Sequence, residues 1–319
     1  MILILSHSLD YSTYKVIKSL KDFNVKCLRL DVDKFFFNSN INISVSNNDC
    51  SFELEYLGER VLFDEIRVVW NRKWDIPSVF KRKVKDVVSF QIYDNLTKEA
   101  EVINSYFQKK LESKLWINHP FNASISKFEQ LETAIEVGFR IPKTCISNLS
   151  NTILGKLQGD IITKPMSECL NFTENGKHYV TYTQKCIIGK DERFFPSLFQ
   201  EQIKRAYELR VFVFYRSIYP MMIFTEETDN IDIRYKNYVK TNTYSSCKLS
   251  ESITRSILLF MEKSKLQTGS FDLIVDKKGD TYFLEVNPFG QFDFVAKNCN
   301  YNIEERIAEY LYEEYTKTI

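Results

Sequence analysis

The chain has 319 residues, 44% hydrophobic and 27% charged, with 25 Phe and 18 Tyr. That composition can bury a sizeable core in two or three domains and marks an ordinary globular protein. Its 43 basic and 42 acidic residues leave a formal charge of +1, so no global field selects nucleic acid or a membrane as the partner.

The opening run "MILIL" is too short for a signal-peptide core or a membrane span and reads as the first strand of a cytoplasmic protein. Helix "YSTYKVIKSLKDF" and strand "VKCLRLD" follow, then a polar Asn-rich loop. "SFELEYLGERVLFDEIRVVW" reads as a short hairpin and a further strand, which together make an α/β domain. From Val79 to Leu115 there is no Gly or Pro, and apolar residues such as Val84, Val88, Ile92, Leu96, Ile103 and Phe107 recur at three and four. This spacing predicts a long helix, or two. In "SKFEQLETAIEVGF", Ser126 and Glu129 form a capping box and Gly138 stands where a C′ glycine belongs. The remainder is mainly strands: "DIITKP", "YVTYTQKC", "FQEQI", "LRVFVFY", "YPMMIFTE", "GSFDLIVD" and "TYFLEVN". Helices are expected near 250–265 and 303–315. The order predicts an α/β domain with linker helices over 1–115, a small α+β lobe over 116–205, and a larger antiparallel-sheet lobe over 206–319. The seven cysteines are scattered without CxxC or zinc-ligand spacing, so they read as reduced thiols that carry no metal.

"FDLIVDKKGDTYFLEVN" reads as a hairpin turning at Lys278-Gly279. With a two-residue loop Lys277 faces Asp280, and counting outward sets Asp272 opposite Glu285, with Asn287 on the same face. An odd loop or a bulge breaks this register. Opposed carboxylates destabilise a sheet by up to about 1 kcal/mol unless neutralised. Two acids and an amide suit Mg²⁺, a hard cation that keeps positions for water and phosphate oxygens. The same pattern also describes the solvent-facing side of a half-buried sheet.

Lys164 ends an apolar strand, and Lys127 lies in the first turn of the capped helix, where the macrodipole disfavours a cation and a phosphate would compensate. Either is equally describable as a solvated surface lysine. Glu208 and Arg210 share a strand face. They can pair with each other, or take ribose hydroxyls and phosphate oxygens respectively. Gln200, Glu201, Gln202 and Ile203 lie between apolar segments, where backbone groups could meet an adenine edge. Asp232 and Arg234 form another acid and base two apart, readable as an ordinary loop pair. His7, His119 and His178 lie too far apart in sequence to suggest a ligand set. "WNRKW" (70–74) offers aromatics and cations at a strand end, readable either as a peptide-facing edge or as core tryptophans with surface cations.

The order "SKFEQLETAIEVGFRIPKT", "IITKP", "FQEQI", "ELR", "DIR", "FDLIVD", "FLEVNPFGQF" resembles the ATP-grasp ligases, from about Trp116 to the C-terminus. "VVWNRKW" and "FLEVNPFGQFDFVAKNCNYNIEERIAEYL" resemble more narrowly the peptide-modifying members that make graspetides, the microviridin-type peptides, and especially the grasp-with-spasm branch. The resemblance implies an ATP-grasp fold behind a pre-ATP-grasp domain, with ATP and Mg²⁺ as cofactors. Lys127 and Lys164 would contact ATP phosphates, and the adenine hinge would comprise Gln200, Glu201 and Ile203. Glu208 would hold the ribose, and Arg210 and Arg234 would neutralise phosphate or acyl-phosphate charge. Asp272, Glu285 and Asn287 would bind the metal. The partner implied is a ribosomally made precursor peptide, leader plus core, with no nucleic acid or membrane, and relatives tend to form homodimers. The implied reaction activates Asp or Glu side chains as acyl phosphates and joins them to Ser/Thr hydroxyls or Lys amines. The alternatives are an ATP-grasp ligase adding amino acids to a protein or peptide tail, and an inactive module that only binds peptide. The stretch after Lys164 departs from many ATP-grasp enzymes in carrying a single glycine, Gly176, instead of a Gly-rich loop.

Overall fold

In the computed structural model, residues 1–76, 89–167, 171–174, 177–181, 183–225 and 242–317 are described. They form two compact units, 1–123 with 302–319, and 124–301.

The first unit is built on a parallel sheet in the order β2-β1-β6-β7, from β1 (Ile2–Ser6), β2 (Cys27–Asp31), β6 (Val68–Asn71) and β7 (Leu115–Ile117). Every residue of β1 is buried, as expected of a central parallel strand covered on both faces. Helices α1 (Tyr11–Lys21), α2 (Val32–Asn38) and α3 (Phe90–Lys110) accompany it. The beginning of the long helix expected from Val79 lies outside the described residues. The Asn-rich stretch read as a loop contains β3 (Ser39–Val45), which pairs antiparallel with β4 (Cys50–Tyr56), itself paired with β5 (Glu59–Arg60). The period-two run Ile41, Ile43, Val45 was hidden by its polar neighbours, and Ile41 packs against the core containing Phe52, Leu54 and Phe107.

The chain's last helix, here α8 (Ile303–Lys317), belongs to this unit. It presents buried Ile303, Ile307, Ala308 and Leu311, and Tyr312 stacks on Phe23 at 4.8 Å. The "WNRKW" segment contributes Trp70 to the core, while Trp74 packs on Phe35 and donates to Asn104 Oδ1 at 2.7 Å. Arg72 is buried rather than a surface cation, with Nε 3.4 Å from Asp10 Oδ2. Burial acts to raise the Asp10 pKa, but Arg72, Lys73 and the hydroxyls of Thr13 and Ser12 hold it below the ordinary carboxylate value.

The second unit contains two larger sheets and the hairpin of β10 (Asn171–Glu174) and β11 (Lys177–Val180). One sheet has the order β12-β9-β13-β8, from β8 (Thr144–Leu149), β9 (Ile161–Lys164), β12 (Gln184–Lys185) and β13 (Arg193–Glu201). It packs with α5 (Ser150–Lys156) around Cys145, Ile153, Leu157, Ile161 and Phe199. The other has the order β16-β15-β14-β17-β18, from β14 (Arg205–Phe214), β15 (Ser217–Thr225), β16 (Asn242–Ser246), β17 (Thr268–Asp276) and β18 (Thr281–Asn287). Its residues Leu209, Val211, Val213, Phe271, Leu273, Val275, Phe283 and Val286 join one core with α4 (Lys127–Glu136) and α6 (Glu251–Lys263). Fully buried Phe271 and Phe283 each contribute about 1.5–3 kcal/mol through burial. Because strand side chains alternate, covering this apolar face directs Glu208, Arg210, Asp272 and Ser270 to the other. Helix α7 (Asp293–Cys299) follows β18.

Candidate active site

The β17–β18 hairpin departs from the two-residue turn of the sequence reading. Its loop is Lys277-Lys278-Gly279, closed by Asp276 N donating to Asp280 O at 3.0 Å and Gly279 N to Asp276 O at 3.0 Å, with Gly279 at φ +86°. An odd loop shifts the count by one, and pairing runs Val275↔Thr281, Ile274↔Tyr282, Leu273↔Phe283. A bulge at Leu284 then shifts it back, so that Asp272 does face Glu285 and Ser270 faces Asn287. The two irregularities cancel, and the opposition of the acids is restored by the bulge rather than by a regular ladder.

Arg210 on β14 pairs with Asp272 in register, so Arg210, Asp272 and Glu285 form one row across three strands. The guanidinium grips Asp272 through both its oxygens, Nε to Oδ1 at 2.7 Å and Nη2 to Oδ2 at 2.8 Å. Burial works against the Arg210 charge, but Asp272, with Glu208 and Glu285 beyond it, raises its pKa above the ordinary value. Glu285 Oε2 lies 3.3 Å from Lys127 Nζ, which also donates to Pro165 O at 2.9 Å. The Ser126–Glu129 capping box closes as expected, with Glu129 N donating to Ser126 Oγ at 3.3 Å and Ser126 N to Glu129 Oε2 at 2.7 Å. Lys127 at the positive end of α4 is therefore compensated by a carboxylate and a carbonyl.

Lys164 ends β9 half-buried. Burial lowers its pKa; Glu285 pulls it back, Lys127 lowers it further, and Asp272 opposes the shift without cancelling it. These four charged side chains, Lys127, Lys164, Asp272 and Glu285, sit within electrostatic reach of one another, with Arg210 as a fifth.

Gln200 is buried and donates through Nε2 to Thr144 Oγ1 at 2.8 Å, which fixes the end of β13. Glu201 exchanges contacts with Lys143: its N–H donates to Lys143 O at 3.0 Å, and its Oε1 accepts from Lys143 N at 2.9 Å. Gln202 N donates to Asp160 O at 2.9 Å. Ile203 follows as a half-exposed residue at the β13–β14 connection. Glu208 pairs with Arg205 as well as facing the Arg210 side of β14. Arg205 was missed in the sequence, although a cation three residues before a strand carboxylate was the available signal. Asn287 is exposed and its Oδ1 accepts from Phe289 N at 2.9 Å, turning the chain after β18. Arg234 lies outside the described residues, as does Gly176. Of the three histidines, His7 and His119 are in the first unit.

The donor set fits a hard divalent cation: two carboxylates and an amide, all oxygen. Carboxylate oxygens engaged by Arg210 or Lys127 retain further lone pairs for a metal. Among the described residues no three His, Cys, Asp or Glu side chains converge as a metal cluster, and the amide of Asn287 is the third donor the sequence offers.

This is the ATP-grasp fold, with a pre-ATP-grasp domain at its N-terminus: residues 1–124 match the family model described as the MvdD pre-ATP grasp domain. The whole chain is similar to the macrocyclase MdnC of Microcystis aeruginosa MRC bound with precursor peptide MdnA, at 23% identity and TM-score 0.83, covering 98% of this chain and 99% of that one. It is similar to a Chryseobacterium gregarium RiPP-associated ATP-grasp ligase, solved with ADP and a leader and core peptide, at 23% identity and TM-score 0.80, covering 98% and 96%. The ATP-grasp ligase PsnB, complexed with a phosphomimetic variant of minimal precursor, Mg and ADP, matches at 17% identity and TM-score 0.75, covering 98% of each chain. No protein of curated function matches the sequence.

Proposed function

We propose that the chain is an ATP-dependent peptide macrocyclase that forms ester or amide cross-links in a ribosomally made precursor peptide. The observation that carries this reading is the row Arg210–Asp272–Glu285 facing Lys127 and Lys164. Such an array is suited to positioning and neutralising phosphates, which is most of what phosphoryl transfer asks of a protein, and no protein nucleophile is required. Similarity in fold to peptide-bound ATP-grasp ligases supports the peptide as acceptor.

In this reading the backbone near Ile203 receives adenine and Glu208 accepts ribose hydroxyls. Lys127 and Lys164 hold the phosphates, while Asp272, Glu285 and Asn287 hold Mg²⁺. When bound there, Mg²⁺ would supply Lewis-acid neutralisation of the phosphate charge. A peptide carboxylate oxygen attacks the γ-phosphorus, the bond to the β-phosphate oxygen breaks, and ADP leaves. Arg210, with Arg234 as the expected second guanidinium, neutralises the resulting acyl phosphate. A Ser or Thr hydroxyl, or a Lys amine, then attacks the acyl carbon. It loses its proton, inorganic phosphate departs, and the ring closes with net loss of one water. The reading extends to a cytoplasmic homodimer, which light scattering tests. No described helix is long and apolar enough to cross a membrane.

The reading is tested by peptide-dependent ADP release with a peptide encoded in a neighbouring reading frame that carries Ser/Thr and Asp/Glu near its end. Wild type is expected to release ADP only with that peptide and Mg²⁺, and Glu285→Gln to lose this by two orders of magnitude or more. Unchanged turnover in Glu285→Gln contradicts the metal assignment. Transfer of a free amino acid to a peptide tail would instead select the carboxylate–amine ligase alternative, and no ADP release at all the binding module.

A further inference from the structure

We infer that Gln130 is a positioning residue that latches strand β18 to helix α4 and so sets Glu285 and Asn287 for the metal; this deepens, and rests on, the function proposed above. Gln130 stands one turn after Lys127 on α4 and is 6% exposed. Its Oε1 accepts from Val286 N at 2.8 Å, a buried bond across 156 positions of sequence, and its Nε2 donates to Ile125 O at 3.3 Å. Both ends of the amide are thereby fixed, one on the strand and one on the chain entering the helix.

Val286 lies between Glu285 and Asn287, and β18 is the edge of its sheet. The Val286 N–H points away from β17, because adjacent residues of an antiparallel strand send their N–H groups to opposite sides. Without Gln130 this buried donor would have no strand to meet. A second anchor lies three residues earlier, where Phe283 N donates to Arg140 O at 2.8 Å. Arg140 in turn pairs with Asp280 at 2.9 Å. The Arg140 anchor precedes the bulge at Leu284 and the Gln130 anchor follows it. Gln130 therefore fixes the side of the strand away from β17 where the register has been reset, which is the part that carries the two ligands. Because Lys127 is on the same helix one turn back, the latch also sets the 3.3 Å approach of Lys127 to Glu285.

Removing a partner that orients a metal ligand typically weakens metal affinity by about 10–100-fold. The test compares full-length wild type, Gln130→Met and Gln130→Glu by calorimetry of ADP binding across a Mg²⁺ titration. Amide exchange across 283–287 is measured on the same proteins. Gln130→Met keeps the length without the acceptor, whereas Gln130→Glu keeps an acceptor for Val286. In Gln130→Met the Mg²⁺ concentration that supports ADP binding is expected to rise about 10–100-fold. Exchange at Val286 is expected to accelerate, while ADP binding without Mg²⁺ stays as in wild type. Gln130→Glu is expected to recover both protection and Mg²⁺ response. Should Gln130→Met fail to fold, the Glu variant carries the test, since an unprotected Val286 or a lost Mg²⁺ response in that folded protein overturns the latch. An unshifted Mg²⁺ dependence in Gln130→Met, or a parallel loss of Mg²⁺-free ADP binding, also overturns it. Wild type that binds no ADP with Mg²⁺ overturns the functional reading itself, and the role of Gln130 with it.

Discussion

Lys164 and Arg210 are perturbed in opposite directions although the same two acids act to raise both, because burial and Lys127 outweigh those acids at Lys164. The Lys164 pKa is lowered from 10.5, chiefly by burial, so its cation is complete below the lowered value and disappears as pH rises through it. Between that value and 10.5 the unfolded chain holds more protons than the folded one, so this residue's contribution to stability grows with pH in that window. Affinity for ATP should move the other way, weakening on the alkaline side before an ordinary lysine would titrate. Lys164→Arg, which stays charged, should flatten that limb, and ATP titrations at several alkaline pH values check it. Arg210→Ala leaves two facing carboxylates with one cation fewer. With the guanidinium side chain 35% exposed, solvent screening keeps the expected loss to about 1 kcal/mol by thermal unfolding. Added Mg²⁺ should raise the melting temperature of this variant more than that of wild type. The residue types of this site were legible in sequence because Lys164 and Asn287 end strands, Asp272 and Glu285 lie on the two arms of one hairpin, and Lys127 opens a capped helix. Arg205 beside Glu208 and the Gln130 bond to Val286 were not, since the pairing of Arg205 depends on the local strand geometry and the Gln130 bond joins elements far apart in the chain.

At the scale of the element, the β17–β18 hairpin shows what a register count can and cannot carry. Alternation correctly put Asp272, Glu285 and Asn287 on one face, but a three-residue loop and the Leu284 bulge are invisible to alternation alone. Their compensation preserves the facing acids. Gly279→Ala, at φ +86° with open space around it, should cost about 1 kcal/mol in stability through backbone strain alone. Gly290 is different: a Cβ there would lie 2.1 Å from Ser270 Oγ and 2.8 Å from Ser270 N. Since Ser270 faces Asn287, Gly290→Ala should displace the turn after β18. Mg²⁺-dependent ADP binding should then fall by more than Gly279→Ala lowers it, as calorimetry of the two variants will show. The capped helix α4 was legible from Ser126, Glu129 and Gly138, whereas β3 was not, because Asn and Ser between Ile41, Ile43 and Val45 mimic a loop.

For the whole molecule, the order of motifs along the chain carried the fold, because the helix α4 and the strands β9, β13, β14, β17 and β18 that bear them follow in that order. The destination of α8 was not contained in that order. Its Ile303, Ile307 and Leu311 stripe announces a buried face, but periodicity names no partner, and the partner is α1 in the first unit. Leu311→Ala should destabilise that unit by about 2–5 kcal/mol, visible as an earlier unfolding transition. The central claim, that this fold spends ATP to dehydrate a peptide onto itself, is tested most directly by mass spectrometry of the precursor peptide alongside an ADP assay. One water should be lost from an otherwise intact peptide for each ADP released. A peptide that gains mass, or ADP released without loss of water from the peptide, would contradict the account.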